Sequence, residues 1–185
     1  WKVTVAVRKE HEILAIWPGL HETAFGLAVD VGSTTIAAHL TDLHTGEVVA
    51  AAGLMNPQIR FGEDLMSRVS YVMMNPGSLR ELTRAVRGCL AKLTAELAKE
   101  AGIDRDEILE VTVVGNPIMH HLALGIDPTE LGGAPFALAS DEALRLRAST
   151  LGLPIHPGAR LYVLPCIAGH VGADTAGVIL SEGPH

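Results

Sequence analysis

Hydrophobic positions along this chain change their period several times, and each change marks a candidate element. Val3, Val5 and Val7 alternate with other residues, the period of a half-exposed strand. Ile13 to Ile16 predict a second short strand that Pro18-Gly19 stops. The apolar run Leu27-Ala28-Val29, bounded by glycine, predicts a buried central strand. Thr35 to Leu43 alternates loosely, Leu43-His44-Thr45-Gly46-Glu47 reads as a hairpin loop, and Glu47 to Leu54 predicts a third strand of this group. Asn56-Pro57 then breaks the strand pattern, and Gln58 to Gly62 form a polar loop.

The period lengthens beyond that point. Leu65, Val69, Val72 and Met73 share one face of a helix predicted over Glu63 to Met74, which Asn75-Pro76-Gly77 ends. Ser78 with Glu81 has the form of a capping box. From it Leu79, Leu82, Val86, Cys89 or Leu90, Leu93 and Leu97 step by three and four towards a terminator at Gly102. Ile108 to Val114 predicts a buried strand closed by Gly115-Asn116-Pro117, and a short helix with His120, His121, Leu122 and Leu124 follows. Asp127 to Ala159 is rich in glycine, proline and small residues; it reads as an irregular insertion with a helix around Asp141 to Ala148. Leu161 to Pro165 forms the next strand, ahead of a glycine-rich turn and a small-residue helix over Thr175 to Leu180. Three consecutive strands before any helix exclude a Rossmann opening, which would alternate strand and helix from the start.

Composition narrows the function classes. The chain has 185 residues, and a hydrophobic content of 48% rules out a disordered segment. A net charge of −7 without any lysine or arginine stripe argues against a nucleic-acid footprint. Cys89 and Cys166 are far apart in apolar stretches, so two buried free thiols in a reducing cytoplasm are expected. No apolar run has the length of a membrane span, and no signal peptide is visible. The first residue is Trp1. The chain therefore reads as an excised or processed piece, with residues 1–25 a leader from a small preceding domain or a linker.

Two segments carry chemistry. In Gly26-Leu-Ala-Val-Asp-Val-Gly-Ser-Thr-Thr35, a strand delivers Asp30 into a Gly-Ser turn. Gly32 permits a tight turn in which the amides of Ser33 and Thr34 can face an anion, with Thr35 following. Asp30 is suited to a hydrated magnesium ion, which favours one or two carboxylates plus water and phosphate oxygens. An ordinary tight hairpin would use the same turn residues. In Ala168-Gly-His-Val-Gly-Ala-Asp-Thr-Ala-Gly177, Gly169 and Gly172 precede a helix start, where negative charge is favoured and a ligand can approach closely. Asp174 at that start is either a helix cap or a catalytic acid or base. Asn116 reads equally as a contact to a phosphate-bound water or metal shell and as a strand-ending turn residue. His120 and His121 point about 100° apart on a helix, so packing is expected rather than a shared metal ion. His170 has a phosphate or the neighbouring backbone within its chemistry. Arg60, Glu63, Asp64 and Arg68 read as a solvated helix start.

The Asp30-to-Thr35 loop resembles the first phosphate loop of the actin, sugar-kinase and Hsp70 superfamily of ATPases; it is not a Walker loop, which requires Gly-Lys-Ser/Thr. The resemblance implies a ribonuclease-H-like α/β lobe: a mixed sheet with antiparallel first three strands, flanked by helices. Three further segments follow in order: Asn56-Pro-Gln-Ile-Arg-Phe-Gly-Glu-Asp64, Val114-Gly-Asn-Pro-Ile-Met-His-His121 and Leu164-Pro-Cys-Ile-Ala-Gly-His-Val-Gly-Ala-Asp174. Together they resemble the reductive activators of corrinoid proteins, a family of ferredoxin-fused ATPases, over roughly Gly26 to Leu180. That resemblance implies ATP and Mg2+ as cofactors, reduction of Co(II) to Co(I) in a corrinoid iron–sulfur or corrinoid methyl-transfer protein, and homodimerisation through the ATPase domain. By position it implies Asp30 as the magnesium-shell carboxylate acting through water, and Ser33, Thr34 and Thr35 as phosphate contacts. Gly32, Asn116, Gly169 and Gly172 fall to the nucleotide site, and Asp174 becomes the water-orienting catalytic acid. The family's [2Fe–2S] cysteines and its second phosphate motif are not in this sequence. The resemblance therefore implies residues 1–25 as a leader from the family's small middle domain or a linker, and 26–185 as the incomplete N-terminal lobe of the ATPase domain, supplying the first half of a phosphate clamp. A sugar-type small-molecule kinase, or a dimerisation and docking module without catalysis, are the alternatives.

Overall fold

A computed structural model of the chain describes residues 2–183. Strands β1 (Val3–Arg8) and β2 (Glu12–Pro18) pair antiparallel as a two-stranded ribbon. Leu14 and Ala15 of the ribbon bury against Leu109, and the Arg8–Glu110 and Arg160–Glu12 ion pairs tie it to the neighbouring sheet.

That sheet has six strands. β3 (Phe25–Val31), β4 (Thr35–Asp42) and β5 (Val48–Met55) run antiparallel in succession. β6 (Ile108–Gly115) pairs parallel with β3 on its other side, and β8 (Arg160–Val163) pairs parallel with β6. β7 (Leu144–Arg147) adds an antiparallel edge, giving the order β5-β4-β3-β6-β8-β7. Without that edge strand the order is three-two-one-four-five with the second strand reversed, which is the ribonuclease-H-like arrangement of actin-type ATPases.

The period-two pattern of β3 sorts its side chains onto two faces. Phe25, Leu27, Val29 and Val31 are buried, whereas Ala28 and Asp30 point the other way and are exposed. Against the buried face pack α1 (Leu65–Met74), α2 (Ser78–Ala101) and α3 (Pro117–Leu124). α2 contributes Leu82, Val86, Leu90, Leu93 and Leu97, each removed from water for a gain of about 2 kcal/mol. On the opposite face, α4 (Ala173–Glu182) lays Ala173 and Ala176 beside Leu164, Cys166 and Val114. Asp30 pairs in register with Val114, so the aspartate shares its face with α4.

Three local expectations are corrected. Ser78 and Glu81 form no capping box: Gly77, in a left-handed conformation, precedes α2, and no side chain caps that end. Residues 144–147 are a strand, not part of a helix, because Leu144 and Leu146 alternate with Arg145 and Arg147 beside the open edge of β8. Arg68 is not solvated; it is completely buried. Cys89 and Cys166 are buried free thiols. Among the described residues no helix is long and apolar enough to cross a membrane.

Candidate functional site

The C-terminal ends of β3 and β6 and the start of α4 converge on one edge of the sheet. Between β3 and β4, Gly32, Ser33 and Thr34 make the turn, and a side chain at Gly32 would strike the carbonyl of Thr35. All three carbonyls of this turn are held from behind. Asn56 Nδ2 donates to Gly32 O at 2.8 Å, Arg68 Nη2 donates to Ser33 O at 2.6 Å, and the Asn56 amide donates to Thr34 O at 2.8 Å. With the carbonyls so occupied, the amides of Ser33 and Thr34 have no protein acceptor among the described residues. Thr34 and Thr35 are exposed and Ser33 is half-buried.

Asp30 lies open to solvent, yet the surrounding walls partly desolvate its carboxyl; this, and then the charge of Asp174, raises its pKa above the usual carboxylate range. The two carboxylates therefore sense one another across the space between β3 and α4. Asp174 occupies the first turn of α4, where its Oδ1 accepts the Thr175 amide at 2.8 Å. Gly172, not Asp174, is the residue at the cap position.

The glycine turn before α4 is closed by Ala168–Val171 backbone bonds. Both candidate glycines in it are filled from the protein side. A side chain at Gly169 would collide with the Phe136 carbonyl, and one at Gly172 would stand 2.6 Å from both Asn116 Cα and Gly115 O. His170 is exposed, with its ring 4.2 Å from that of Phe136.

Asn116 caps α3, its Oδ1 accepting the Met119 amide at 3.0 Å. His120 and His121 are both buried. His121 Nδ1 donates to Pro117 O at 2.8 Å, which leaves Nε2 to accept the Ala139 amide at 3.1 Å. Burial, and then the neighbouring His121, push His120 down to about 4.

The sequence reads Asn56 as a strand break, Gln58 as part of a polar loop and Arg68 as part of a solvated helix start, yet all three are fully buried. Asn56 Oδ1 accepts the Gln58 amide at 2.9 Å, and Gln58 Nε2 reaches Leu82 O on α2 at 3.0 Å. A polar run after a strand-breaking Asn-Pro looks like surface in one dimension. The available signal was Gly62, whose missing side chain lets the loop lie on Ser67 and Arg68.

The family model described as the RACo middle region matches residues 25–185. The corrinoid activation enzyme RamQ of Eubacterium limosum is 35% identical over 156 residues, covering 84% of this chain and 26% of RamQ. A solved structure of a reductive activator for corrinoid, iron–sulfur protein superposes with a TM-score of 0.87 at 35% identity, over 92% of this chain and 27% of that one. The chain thus spans about a quarter of the length of both relatives.

Proposed function

The chain belongs to the RACo middle-region family, and from that premise we propose that it supplies the first phosphate-binding half of the ATPase site in an ATP-dependent reductive activator of a corrinoid protein. One observation carries this reading: the Gly32–Thr34 turn has its carbonyls tied back and the Ser33 and Thr34 amides left free, beside an aspartate. Outward amides bind anions, and a carboxylate next to them suits the magnesium ion that accompanies a nucleotide.

In this reading Ser33, Thr34 and Thr35 contact the phosphates of ATP, with Gly32 shaping the turn. Asp30 holds hydrated Mg2+ through water. When bound, the metal neutralises charge that develops on the phosphates. Asp174 orients the attacking water by accepting its hydrogen bond; partial burial and then the charge of Asp174 raise the pKa of Asp30, and a bound cation would offset both. Asn116, Gly169 and Gly172 fix the backbone from which Asp174 projects. Two buried cysteines cannot ligate a [2Fe–2S] cluster, so the electron carrier belongs to another part of a longer protein.

Residues 26–185 are read as the N-terminal lobe of the ATPase domain, with residues 1–25 leading in from a preceding segment. In this reading the second half of the phosphate clamp comes from a segment outside this chain. The partner is a corrinoid iron–sulfur or corrinoid methyl-transfer protein, whose Co(II) is the substrate reduced to Co(I). A homodimer in a reducing cytoplasm completes the reading.

Calorimetry with ATP–Mg2+ tests it, on this chain and on the chain extended to the full length of its relatives, each with and without Asp30→Ala. The extended chain is expected to bind, and Asp30→Ala to weaken binding by about tenfold or more. Equal affinity with and without the Asp30 carboxylate, or no binding by either chain, overturns the assignment.

A further inference from the structure

Arg68 is a fully buried cation that touches no carboxylate among the described residues; the one acid whose charge reaches it, Asp64, does so from beyond ion-pair distance. Its three bonds go to neutral acceptors: Nε to Gly62 O at 2.9 Å, Nη1 to Met119 Sδ at 3.2 Å and Nη2 to Ser33 O at 2.6 Å. Among the described residues no carboxylate lies within ion-pair distance of it. Asp64 favours the Arg68 charge at longer range, but it is exposed and its carboxylate is committed to the start of α1, where it accepts from Ser67 N and Ser67 Oγ, both at 2.7 Å. Buried charges are ordinarily paired, because an isolated one loses its hydration without return.

Holding the Ser33 carbonyl does not in itself require a charge. Asn56 holds the Gly32 carbonyl of the same turn with a neutral amide. What a guanidinium adds behind the Ser33 peptide is positive potential, and it adds it on the side opposite the free Ser33 and Thr34 amides. The cation polarises that peptide so that its amide side becomes a better anion donor.

We propose that Arg68 is a positioning cation of the anion site: it fixes Ser33 O inward, and the near counter-charge that Asp64 supplies only from a distance is completed by the di- or triphosphate that binds the outward amides of Ser33 and Thr34. This inference rests on the phosphate reading of the loop and adds a residue outside it. Arg68 touches no reacting atom; it acts through Ser33. The Asn56–Asp64 segment thereby acquires a purpose, because Gly62 admits the close contact with Arg68 N that brings the guanidinium beneath the loop.

The test titrates inorganic pyrophosphate with Mg2+ into the chain and follows the Ser33 and Thr34 amide resonances. Arg68→Lys and Arg68→Gln both retain a donor for Ser33 O, but only lysine retains the charge. Met119→Glu keeps Arg68 and supplies an internal counter-charge beside Nη1. Thermal melting of each variant is recorded alongside. The expected result is that Arg68→Gln and Met119→Glu each weaken pyrophosphate about tenfold, while Arg68→Lys stays within about threefold of the parent chain. If Arg68→Gln unfolds the chain, Met119→Glu carries the same comparison with the guanidinium in place. Pyrophosphate binding that is equal in the parent chain, Arg68→Gln and Met119→Glu overturns the role of the charge and leaves the phosphate loop standing. Neither amide shifting, in this chain or in the chain extended to the full length of its relatives, overturns both.

Discussion

The two glycine-bearing turns at this edge of the sheet look alike in sequence and are built on different physics. The Gly32–Thr34 turn presses Gly32 only against its own Thr35 carbonyl, and from further along the chain it is shaped by hydrogen bonds that reach it from Asn56 and Arg68. The Gly169–Gly172 turn is shaped by backbone pressed against backbone, with Phe136 on one glycine and Gly115 and Asn116 on the other. Hydrogen bonds hold a loop at an energy a small change can adjust, whereas filled volume leaves no such adjustment. The first turn is therefore free to present its amides, and the second is fixed to present Asp174.

The comparison breaks most sharply at Gly172. Replacement by alanine drives a carbon into backbone that cannot rotate away, and a loss of about 3 kcal/mol or more is expected in urea denaturation. A loss below about 1 kcal/mol would mean that the second turn yields as readily as the first. Gly88→Ala supplies the opposite case within the same chain. Gly88 lies inside α2 with open space where a side chain would go, so alanine is expected to stabilise by up to about 1 kcal/mol.

Acid tests the second turn without mutation. His120 is held neutral, at about 4 against an ordinary 6.5, so the unfolded chain binds more protons between those values. Stability is accordingly full above pH 6.5 and falls as the pH drops towards 4, by on the order of 3 kcal/mol. His121 shifts the same way through burial, and it holds the Ala139 amide of the segment that carries Phe136 against Gly169. Amide exchange at Ala139 should therefore rise with acid before exchange at Asn56 does. Simultaneous loss at both sites would erase the distinction between the two turns.

Asn56→Ala probes the first turn directly. It leaves Gly32 O and the Gln58 amide without partners, and a loss of about 2 kcal/mol is expected, measured by the same denaturation. The effect should be smaller than that of Gly172→Ala, with the fold retained and the Ser33 and Thr34 resonances displaced.

Most of the fold was legible in the sequence because its elements report on themselves. The alternation in β3 and the three-four stepping in α2 reflect one face meeting a core, and the face can be counted without knowing what covers it. The strand at Leu144–Arg147 was misread because four residues give period two little room, and only the free edge of β8 decided it. At the site, Asp30, Gly32, Ser33 and Asp174 were visible as residue types in suggestive turns. Asn56 and Arg68 were not, since a polar residue before a helix carries no mark of burial until the neighbouring elements close over it.

By itself the sequence determined most of the strands and helices, which of their faces are apolar, and where the two glycine turns form. Those properties arise from neighbours three or four residues apart. Tertiary structure alone decided that three carbonyls of the first turn are held inward, that a buried arginine lies beneath it with no carboxylate in contact among the described residues, and that Asp30 and Asp174 share one face. Each of these joins residues tens of positions apart, whose meeting is fixed by strand order and helix packing and is encoded in no local pattern.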